Sequence, residues 1–184
     1  MRVRWIAAVL AAVGLLACVS WAAGPAGVWL DVPFVKQETN GCGAASISMV
    51  MQYWARQRGT LALNTADAAA IQSALYSTDA HGIYASSMER YFREHHFRTF
   101  SFPGQWSDLQ EHLAAGRPLI VALKSGRAAM HYVVVTGLDG DHSLVLVNDP
   151  AQRKLLKVAR SDFEHEWSGA DHWTLLAIPQ PTAQ

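Results

Sequence analysis

The stretch QETNGCGAASISMVMQYW, residues 37–54, decides the fold because a glycine-flanked turn runs directly into a helical pattern. Four apolar side chains recur at the spacing i, i+3, i+4 and i+7, which marks one face of an α-helix. These side chains are Ile47, Val50, Met51 and Trp54. Gly59 follows two nearby arginines and predicts the end of the helix. We therefore predict one long helix that begins near Cys42.

Cys42 has the surroundings of a nucleophile, because it occupies the first turn of this helix between Gly41 and Gly43. A helix N-terminus carries partial positive charge and free N–H groups, which favour a thiolate. Such sites lower a cysteine pKa from about 8.5 to roughly 3.5–7.5. Gly43 places no side chain beside the sulfur, so a substrate backbone is expected to approach closely. The alternative is a buried, unreactive thiol, the usual fate of a free cysteine.

Gln37 lies five residues before Cys42 and is a candidate oxyanion donor. Folded back over the turn, its side-chain amide would present an N–H beside the backbone N–H of Cys42. A solvated loop glutamine is the alternative interpretation of the same residue. The spacing alone does not decide between the two.

A second cluster is predicted around the turn Asp139-Gly140-Asp141-His142, which separates two valine-rich runs at 132–138 and 144–147. His131 and Asp149 lie at equal separations from Gly140 along the chain. Residues equidistant from a hairpin turn face each other, so this pair is expected within about one register step of direct opposition. Asp149 would then orient the imidazole and stabilise its charged form. A surface histidine and a turn-forming aspartate are the alternatives.

The remaining pattern predicts an α+β fold in which the long helix packs against an antiparallel sheet. Helices are expected at 65–76, capped by Asn64 or Thr65, at 87–96, and from Ser107 to Gly116. Ser107 and Ser161 each begin a capping-box pattern, and the second predicts a short late helix. Strands are expected at 119–123, 132–138, 144–147 and 173–178.

The order of these residues resembles the papain-like cysteine peptidases: glutamine, cysteine at a helix start, histidine opening a strand, and aspartate closing the next strand. It is most similar to the bacteriocin-processing (double-glycine) peptidase family and its stand-alone relatives. The likeness covers about residues 30–178 and includes a final helix followed by a Trp-Ser-Gly turn. The matching stretches are Val32-Pro33-Phe34-Val35-Lys36-Gln37, Gly41-Cys42-Gly43-Ala44-Ala45, His131-Tyr132-Val133-Val134-Val135-Thr136-Gly137 and Asn148-Asp149-Pro150.

This resemblance implies a papain-like fold and a thiol peptidase that acts on a peptide or protein without a metal or organic cofactor. It implies Cys42 as nucleophile, His131 as base and Asp149 as the residue that orients the histidine. Gln37 would be the oxyanion donor. Two other functions remain open: a catalytically silent papain-like module that binds peptides, and an amidase or acyl transferase on cell-wall peptide.

The N-terminus predicts export, with residues 1–24 as a signal peptide and 25–184 as one peptidase domain. Arg2 and Arg4 precede an apolar run at 6–16 and a small-x-small site at 20–22. The resulting protein would be periplasmic or secreted. Leu15-Leu16-Ala17-Cys18 also resembles a lipobox, in which Cys18 would carry a lipid anchor. Members of the resembled family that process bacteriocins are usually fused to a transporter and face the cytoplasm. The expected export of this chain therefore argues against a double-glycine leader as its substrate, but it does not affect the expected reaction type.

Composition excludes several partners. The 184 residues carry 15 Lys and Arg against 15 Asp and Glu, which gives no electrostatic case for binding nucleic acid or an anionic membrane. Cys18 and Cys42 are the two cysteines, so removal or acylation of Cys18 leaves no internal disulfide. The histidines other than His131 lack metal-ligand spacing. We expect a monomer with no metal.

Overall fold

A computed structural model describes residues 27–59, 66–124, 126 and 129–181. The signal peptide predicted at 1–24, the lipid anchor at Cys18 and the caps at Asn64 and Thr65 lie outside these residues. The helices are α1 (Cys42–Arg58), α2 (Ala68–Leu75), α3 (Ala85–Glu94), α4 (Trp106–Ala114) and α5 (Arg160–Ser168). The strands are β1 (Val28–Trp29), β2 (Phe97–Pro103), β3 (Leu119–Leu123), β4 (His131–Asp139), β5 (Leu144–Asn148), β6 (Leu156–Ala159) and β7 (Trp173–Pro179).

The sheet is antiparallel throughout its described pairings and separates two apolar clusters. Its strand order is β2-β7-β3-β4-β5-β6, and β1 pairs with β4. One cluster joins the sheet to α1, α2 and α3, and the other joins it to α4 and α5. Helices therefore cover both faces, and the predicted α+β class with a long helix packed on an antiparallel sheet is confirmed.

Helix α1 is buried along most of its length and is anchored at both ends. The Ser46 hydroxyl donates to the carbonyl of Tyr132 at 3.4 Å near its start, and the Trp54 indole donates to the carbonyl of Ala177 at 3.0 Å near its end. Gly59 ends the helix in the left-handed conformation at φ 66°, which a residue without a Cβ adopts at no steric cost. The predicted start at Cys42 and stop at Gly59 are both confirmed.

The shorter helices begin at different caps from those predicted. α2 starts at Ala68, where the Asp67 carboxylate accepts the N–H of Ala70 at 2.7 Å. α4 starts at Trp106, and Asp108 accepts the N–H of Gln105 at 2.7 Å. The capping pair of α4 is therefore Gln105 and Asp108, so the capping box predicted to begin at Ser107 is wrong by two residues.

The other helix boundaries also shift by a few residues, and three strands were not predicted. α3 runs over Ala85–Glu94 and α5 over Arg160–Ser168, so Ser161 lies inside α5 instead of capping it. There the Ser161 hydroxyl contacts Asp162 at 3.4 Å. Of the three additional strands, β1 pairs with β4, while β2 and β6 form the opposite ends of the strand order. Both edge strands complete the sheet without moving the predicted central strands.

Candidate active site

Cys42 is the first residue of α1, and its thiol is partly exposed. Burial raises the pKa of the thiol, but a hydrogen bond with His131 and backbone hydrogen bonds from Tyr132 and Gly43 outweigh that effect. The pKa of Cys42 therefore lies below its ordinary value. The predicted helix N-terminus contributes through the Gly43 N–H, while the Tyr132 contact comes from the sheet.

Gly43 serves packing against a neighbouring loop. A Cβ built on this glycine would lie 3.0 Å from the Cβ of Ile83, a side chain that is buried. That separation is tighter than ordinary van der Waals contact. The expectation that Gly43 keeps space open for a substrate backbone is therefore wrong for this side of the helix, because the space is filled by Ile83.

His131 and Asp149 form a direct contact, with the imidazole Nε2 2.8 Å from the carboxylate Oδ1. Asp149 is 5% exposed and also accepts the N–H of Ala151 at 2.9 Å and the side-chain amide of Gln152 at 2.7 Å. Burial raises the pKa of Asp149, but the hydrogen bond from His131, with those from Ala151 and Gln152, holds it below its usual value. The carboxylate is thus charged and fixed in direction.

The imidazole is held between two negatively charged groups. Burial lowers the pKa of His131, but hydrogen bonds to Asp149 and Cys42, and the charges of both, raise it to about 9. A lowered thiol pKa beside a raised imidazole pKa favours a thiolate–imidazolium pair over a neutral thiol and imidazole. This arrangement can attack an electrophilic carbon and then deliver a proton to the leaving atom.

A bulge in β4 sets the register of the hairpin that carries His131 and Asp149. The β4–β5 ladder pairs Gly137 with Leu146 and then Val135 with Val147, so Thr136 is the extra residue. Such a bulge moves every later pairing by one position. Direct opposition of His131 and Asp149 is not observed, because Asp139 pairs with Leu144 and the turn is therefore centred between Asp141 and His142 instead of at Gly140.

The contact between His131 and Asp149 is diagonal. The last ladder pair is Val134 with Asn148, and extending it by one residue places Asp149 opposite Val133, two residues from His131. Without the bulge, Asp149 would lie opposite Val134, on the other side of the strand, because successive side chains alternate. The register predicted to within one step is wrong by one further residue, yet a diagonal pair is still within reach of long side chains.

Gln37 approaches the same region through its backbone. Its N–H donates to the carbonyl of Pro150 at 3.0 Å, which joins the segment before Cys42 to the turn after Asp149. The side-chain oxygen of Gln37 is buried and has no hydrogen-bond partner in the part of the chain that the structure describes. That an N–H of this amide points at an oxyanion stays a prediction.

Asn148 and Gln152 are functional candidates that sequence reasoning missed. The fully buried Asn148 amide donates to the carbonyl of Val32 at 3.1 Å, and its oxygen accepts the N–H of Leu155 at 3.0 Å. It thereby joins the strand before Asp149 to the segment that leads to Gln37. An asparagine ending a valine-rich strand was a signal for this role, whereas nothing in the sequence pointed to Gln152.

The chain matches a known family of proteins over most of its length. A family model described as Peptidase_C39 like family matches residues 29–173, which include Cys42, His131 and Asp149. This chain belongs to the C39-like peptidase family. C39 peptidases are cysteine peptidase hydrolases. No match was found among curated proteins.

Solved structures share the fold of this C39-like chain. A C39-like peptidase from Bacillus anthracis has 17% identity and a TM-score of 0.66, covering 85% of this chain and 99% of that chain. The peptidase domain of Streptococcus ComA, a bi-functional ABC transporter involved in a quorum sensing pathway, has 21% identity and a TM-score of 0.61, covering 81% and 98%. A double glycine motif protease from an AMS/PCAT transporter, in complex with the leader peptide, has 21% identity and a TM-score of 0.61, covering 83% and 95%.

Within 27–59, 66–124, 126 and 129–181, no group of three or more His, Cys, Asp or Glu side chains could hold a metal ion. The same residues contain no helix that is long and apolar enough to cross a membrane.

Proposed function

We propose that this protein is an exported cysteine peptidase that hydrolyses peptide bonds through Cys42, His131 and Asp149. The observation that carries the proposal is the contact of one imidazole with both the Asp149 carboxylate and the Cys42 thiol. Membership of the C39-like family supports the same reaction class. The chemistry uses only groups of the chain itself.

In the proposed reaction the Cys42 thiolate attacks the carbonyl carbon of the peptide bond and forms a C–S bond. The resulting oxyanion accepts hydrogen bonds from the backbone N–H of Cys42 and, in this proposal, from the Gln37 side chain. His131 gives its proton to the amide nitrogen as the C–N bond breaks. Asp149 keeps the imidazole oriented and stabilises its charged form throughout.

The second half of the reaction releases the enzyme. His131, now neutral, takes a proton from water, and the oxygen attacks the thioester carbonyl. The C–S bond breaks, the carboxylic acid product leaves, and the thiolate of Cys42 is restored beside a reprotonated His131. Each proton removed from one group is delivered to another, so the cycle balances without a cofactor.

A peptide substrate is supported by one relative, the double glycine motif protease solved with a leader peptide. For this chain we propose a peptide or protein substrate outside the cytoplasm, because Arg2, Arg4 and the apolar run at 6–16 favour export. Intact-mass measurement of protein recovered from the periplasm tests the export proposal. A mature N-terminus beginning after residues 1–24 supports it, and recovery of the uncleaved chain from the cytoplasm contradicts it.

Reaction with iodoacetamide at pH 6 tests the enzyme proposal directly. An ordinary thiol is almost entirely protonated at this pH, whereas the Cys42 thiolate is expected to react at least about tenfold faster than glutathione. Labelling should abolish cleavage of a casein-derived peptide mixture in parallel, and Cys42→Ala should neither label at residue 42 nor cleave.

Two results would overturn the enzyme proposal. One is a Cys42 that reacts no faster than glutathione while Cys42→Ala retains cleavage. The other is turnover restricted to amide bonds of cell-wall peptide with no cleavage of ordinary peptides. Peptide binding by wild type without any turnover would instead indicate a silent peptide-binding module.

A further inference from the structure

The side chain of Gln152 folds back onto the Asp149 carboxylate. Its amide Nε2 donates to Oδ2 of Asp149 at 2.7 Å. The other oxygen, Oδ1, accepts the N–H of Ala151 at 2.9 Å and lies 2.8 Å from Nε2 of the His131 ring. Among the residues that the structure describes, Gln152 is the one hydrogen-bond donor to Oδ2. The two oxygens of the carboxylate therefore have separate partners, and the oxygen that does not face the imidazole is held by Gln152.

A tight turn brings Gln152 to this position. The Gln152 N–H donates to the carbonyl of Asp149 at 3.0 Å, which closes a β-turn over residues 149–152. Pro150 is the second residue of this turn, a position at which proline is favoured. The Asp149 N–H donates in turn to the carbonyl of Arg153 at 3.2 Å. Backbone hydrogen bonds thus fix both residues of the contact, although the Gln152 side chain lies at the surface.

A glutamine held in this way acts on the carboxylate differently from water. Both can donate to Oδ2, so the charge of Asp149 does not depend on Gln152. A donor whose own backbone is fixed holds the plane of the carboxylate, whereas exchanging water lets that plane rotate and competes for Oδ1. Rotation would misalign the charge-assisted hydrogen bond with His131, and hydrogen bonds weaken steeply with poor alignment. The imidazolium would then be less stabilised.

We propose that Gln152 is a positioning residue, which fixes the Asp149 carboxylate so that Oδ1 stays aimed at His131. Gln152 acts on the Cys42 thiol only through this pair. The inference rests on the proposed peptidase function and adds to it a residue from outside the sequence-predicted group. An incidental surface contact is the alternative, in which loss of the Gln152 amide changes neither protonation nor activity.

The ionisable groups around Asp149 set the direction of the expected change. His131 from β4 is the charged group that acts on Asp149, and Cys42 from α1 acts on His131 from the other side. The phenol of Tyr132 is neutral, because burial raises its pKa to about 12. Loss of the Gln152 contact should therefore lower the pKa of His131 and raise the pKa of Cys42. The thiolate should then form only at higher pH.

The pH profile of iodoacetamide labelling at Cys42 tests this role without any substrate. Gln152→Leu removes the amide and keeps a side chain of similar size. Its labelling midpoint is expected to lie at least about half a pH unit above that of wild type, which makes labelling about threefold slower at pH values below both midpoints. A profile that coincides with the wild-type profile would overturn the proposal.

Further variants separate positioning from a general effect on the fold. Gln152→Lys offers N–H donors again and is expected to regain at least about half of the shift in midpoint, which a role in packing would not allow. Gln110→Leu, the same change on an exposed glutamine of α4, is the matched control and should give the wild-type profile. A Gln152→Lys profile equal to that of Gln152→Leu would contradict the proposal. Thermal unfolding checks that each variant is folded, and Gln152→Ala replaces the leucine variant if that variant is not.

Peptide hydrolysis adds a measurement that depends on the proposed function. Gln152→Leu is expected to lower kcat at pH 6 at least about threefold and to leave KM within about twofold, because the residue acts through Asp149 and not through substrate binding. A raised KM with unchanged kcat would refute the positioning role. A shifted labelling profile in a protein without turnover would refute the enzyme function alone, and turnover with coincident labelling profiles would refute the role of Gln152 alone.

Discussion

The Asp149 carboxylate is kept charged and oriented toward His131 by several hydrogen-bond donors. A carboxylate that is 5% exposed is costly unless its oxygens are hydrogen-bonded, and here His131, Ala151 and Gln152 all donate to it. These donors keep it charged, and its charge is one cause of the raised pKa of His131. The thiolate of Cys42 therefore depends on a carboxylate that it does not itself contact.

We predict that Asp149→Asn lowers kcat/KM by at least about a hundredfold with little change in fold. The amide keeps the shape of the side chain but removes the charge that stabilises the imidazolium. The pKa of His131 should fall, and the fraction of Cys42 present as thiolate should fall with it. Peptide hydrolysis and the rate of iodoacetamide labelling at pH 6 measure the two effects.

The hairpin turn offers a matched control for this substitution. Asp139 and His142 form a second carboxylate–imidazole pair, with Oδ2 and Nδ1 2.9 Å apart, at the exposed turn between β4 and β5. Asp139→Asn should leave both measurements at wild-type values. Equal losses of peptide hydrolysis in the two variants would contradict the role proposed for Asp149. Activity of Asp149→Asn within threefold of wild type would contradict it as well.

At the scale of elements, the sequence predicted what depends on local pattern. The apolar spacing of α1, its glycine stop and the Asp-Gly turn between β4 and β5 are local signals, and all were confirmed. β2 was not predicted, because its phenylalanines Phe97, Phe100 and Phe102 do not follow a strict alternation. Its pairing with β7 also joins distant parts of the chain and leaves no local signal. β6 is an edge strand of four residues, too short to give a periodic signal.

The meeting of Cys42, His131 and Asp149 was predicted, but the strand register that brings them together was not. Residue types and order were enough to select Cys42, His131 and Asp149 as a group that meets. The bulge at Thr136 left no mark in the sequence, because an unpaired residue in a valine-rich strand looks like any other. Gly43 was selected for the wrong reason, since only the folded chain shows the Ile83 side chain beside it.

The junction of α1 with the loop that carries Ile83 gives the second prediction, which concerns Gly43→Ala. Alanine favours a helix over glycine by about 1 kcal/mol, but overpacking against Ile83 costs about 1–3 kcal/mol. We therefore expect Gly43→Ala to lower the free energy of unfolding or leave it unchanged. In an Ile83→Ala background, the same substitution should be stabilising.

A double-mutant cycle measures this coupling. Urea unfolding of wild type, Gly43→Ala, Ile83→Ala and the double variant should give a coupling free energy of at least about 1 kcal/mol. Additive effects of the two substitutions would refute contact between them as the reason for glycine. Cleavage lost in the double variant despite restored stability would return Gly43 to a role in substrate approach.

At the scale of the whole molecule, the candidate site lies at the ends of a helix and strands that the two apolar clusters hold in place. α1 is held by the cluster on one sheet face, while the end of β5 and the turn at Asp149 continue from strands packed on the other. The contact between Cys42 and His131 therefore joins two packed layers. The protonation of Cys42 and His131 therefore affects the free energy of unfolding of the whole protein, because the pKa of each group differs between the folded and unfolded chains.

The directions of the two pKa shifts oppose each other. His131 has a folded pKa of about 9 against 6.5 unfolded, so its contribution to stability is complete below pH 6.5 and is lost as pH rises through about 9. Cys42 has a folded pKa below its unfolded value of 9.0, so its contribution is complete above pH 9.0 and is lost as pH falls through the folded pKa. At pH values above both 6.5 and the folded pKa of Cys42, and below about 9, the two changes offset.

We predict that wild type keeps a nearly constant free energy of unfolding from the folded pKa of Cys42 up to about pH 9, while Cys42→Ala loses stability as pH rises above 6.5. With the thiol gone, Asp149 alone keeps the pKa of His131 raised, so stability falls by on the order of 1 kcal/mol per pH unit from pH 6.5 up to this lower folded pKa of His131. Urea unfolding at half-unit pH intervals measures both curves. Cys42→Ala combined with His131→Gln removes the remaining proton and should flatten the curve again. A wild-type curve that falls steadily as the pH approaches 9 would show that Cys42 stays a neutral thiol beside a charged His131, so that no thiolate–imidazolium pair forms in the folded protein.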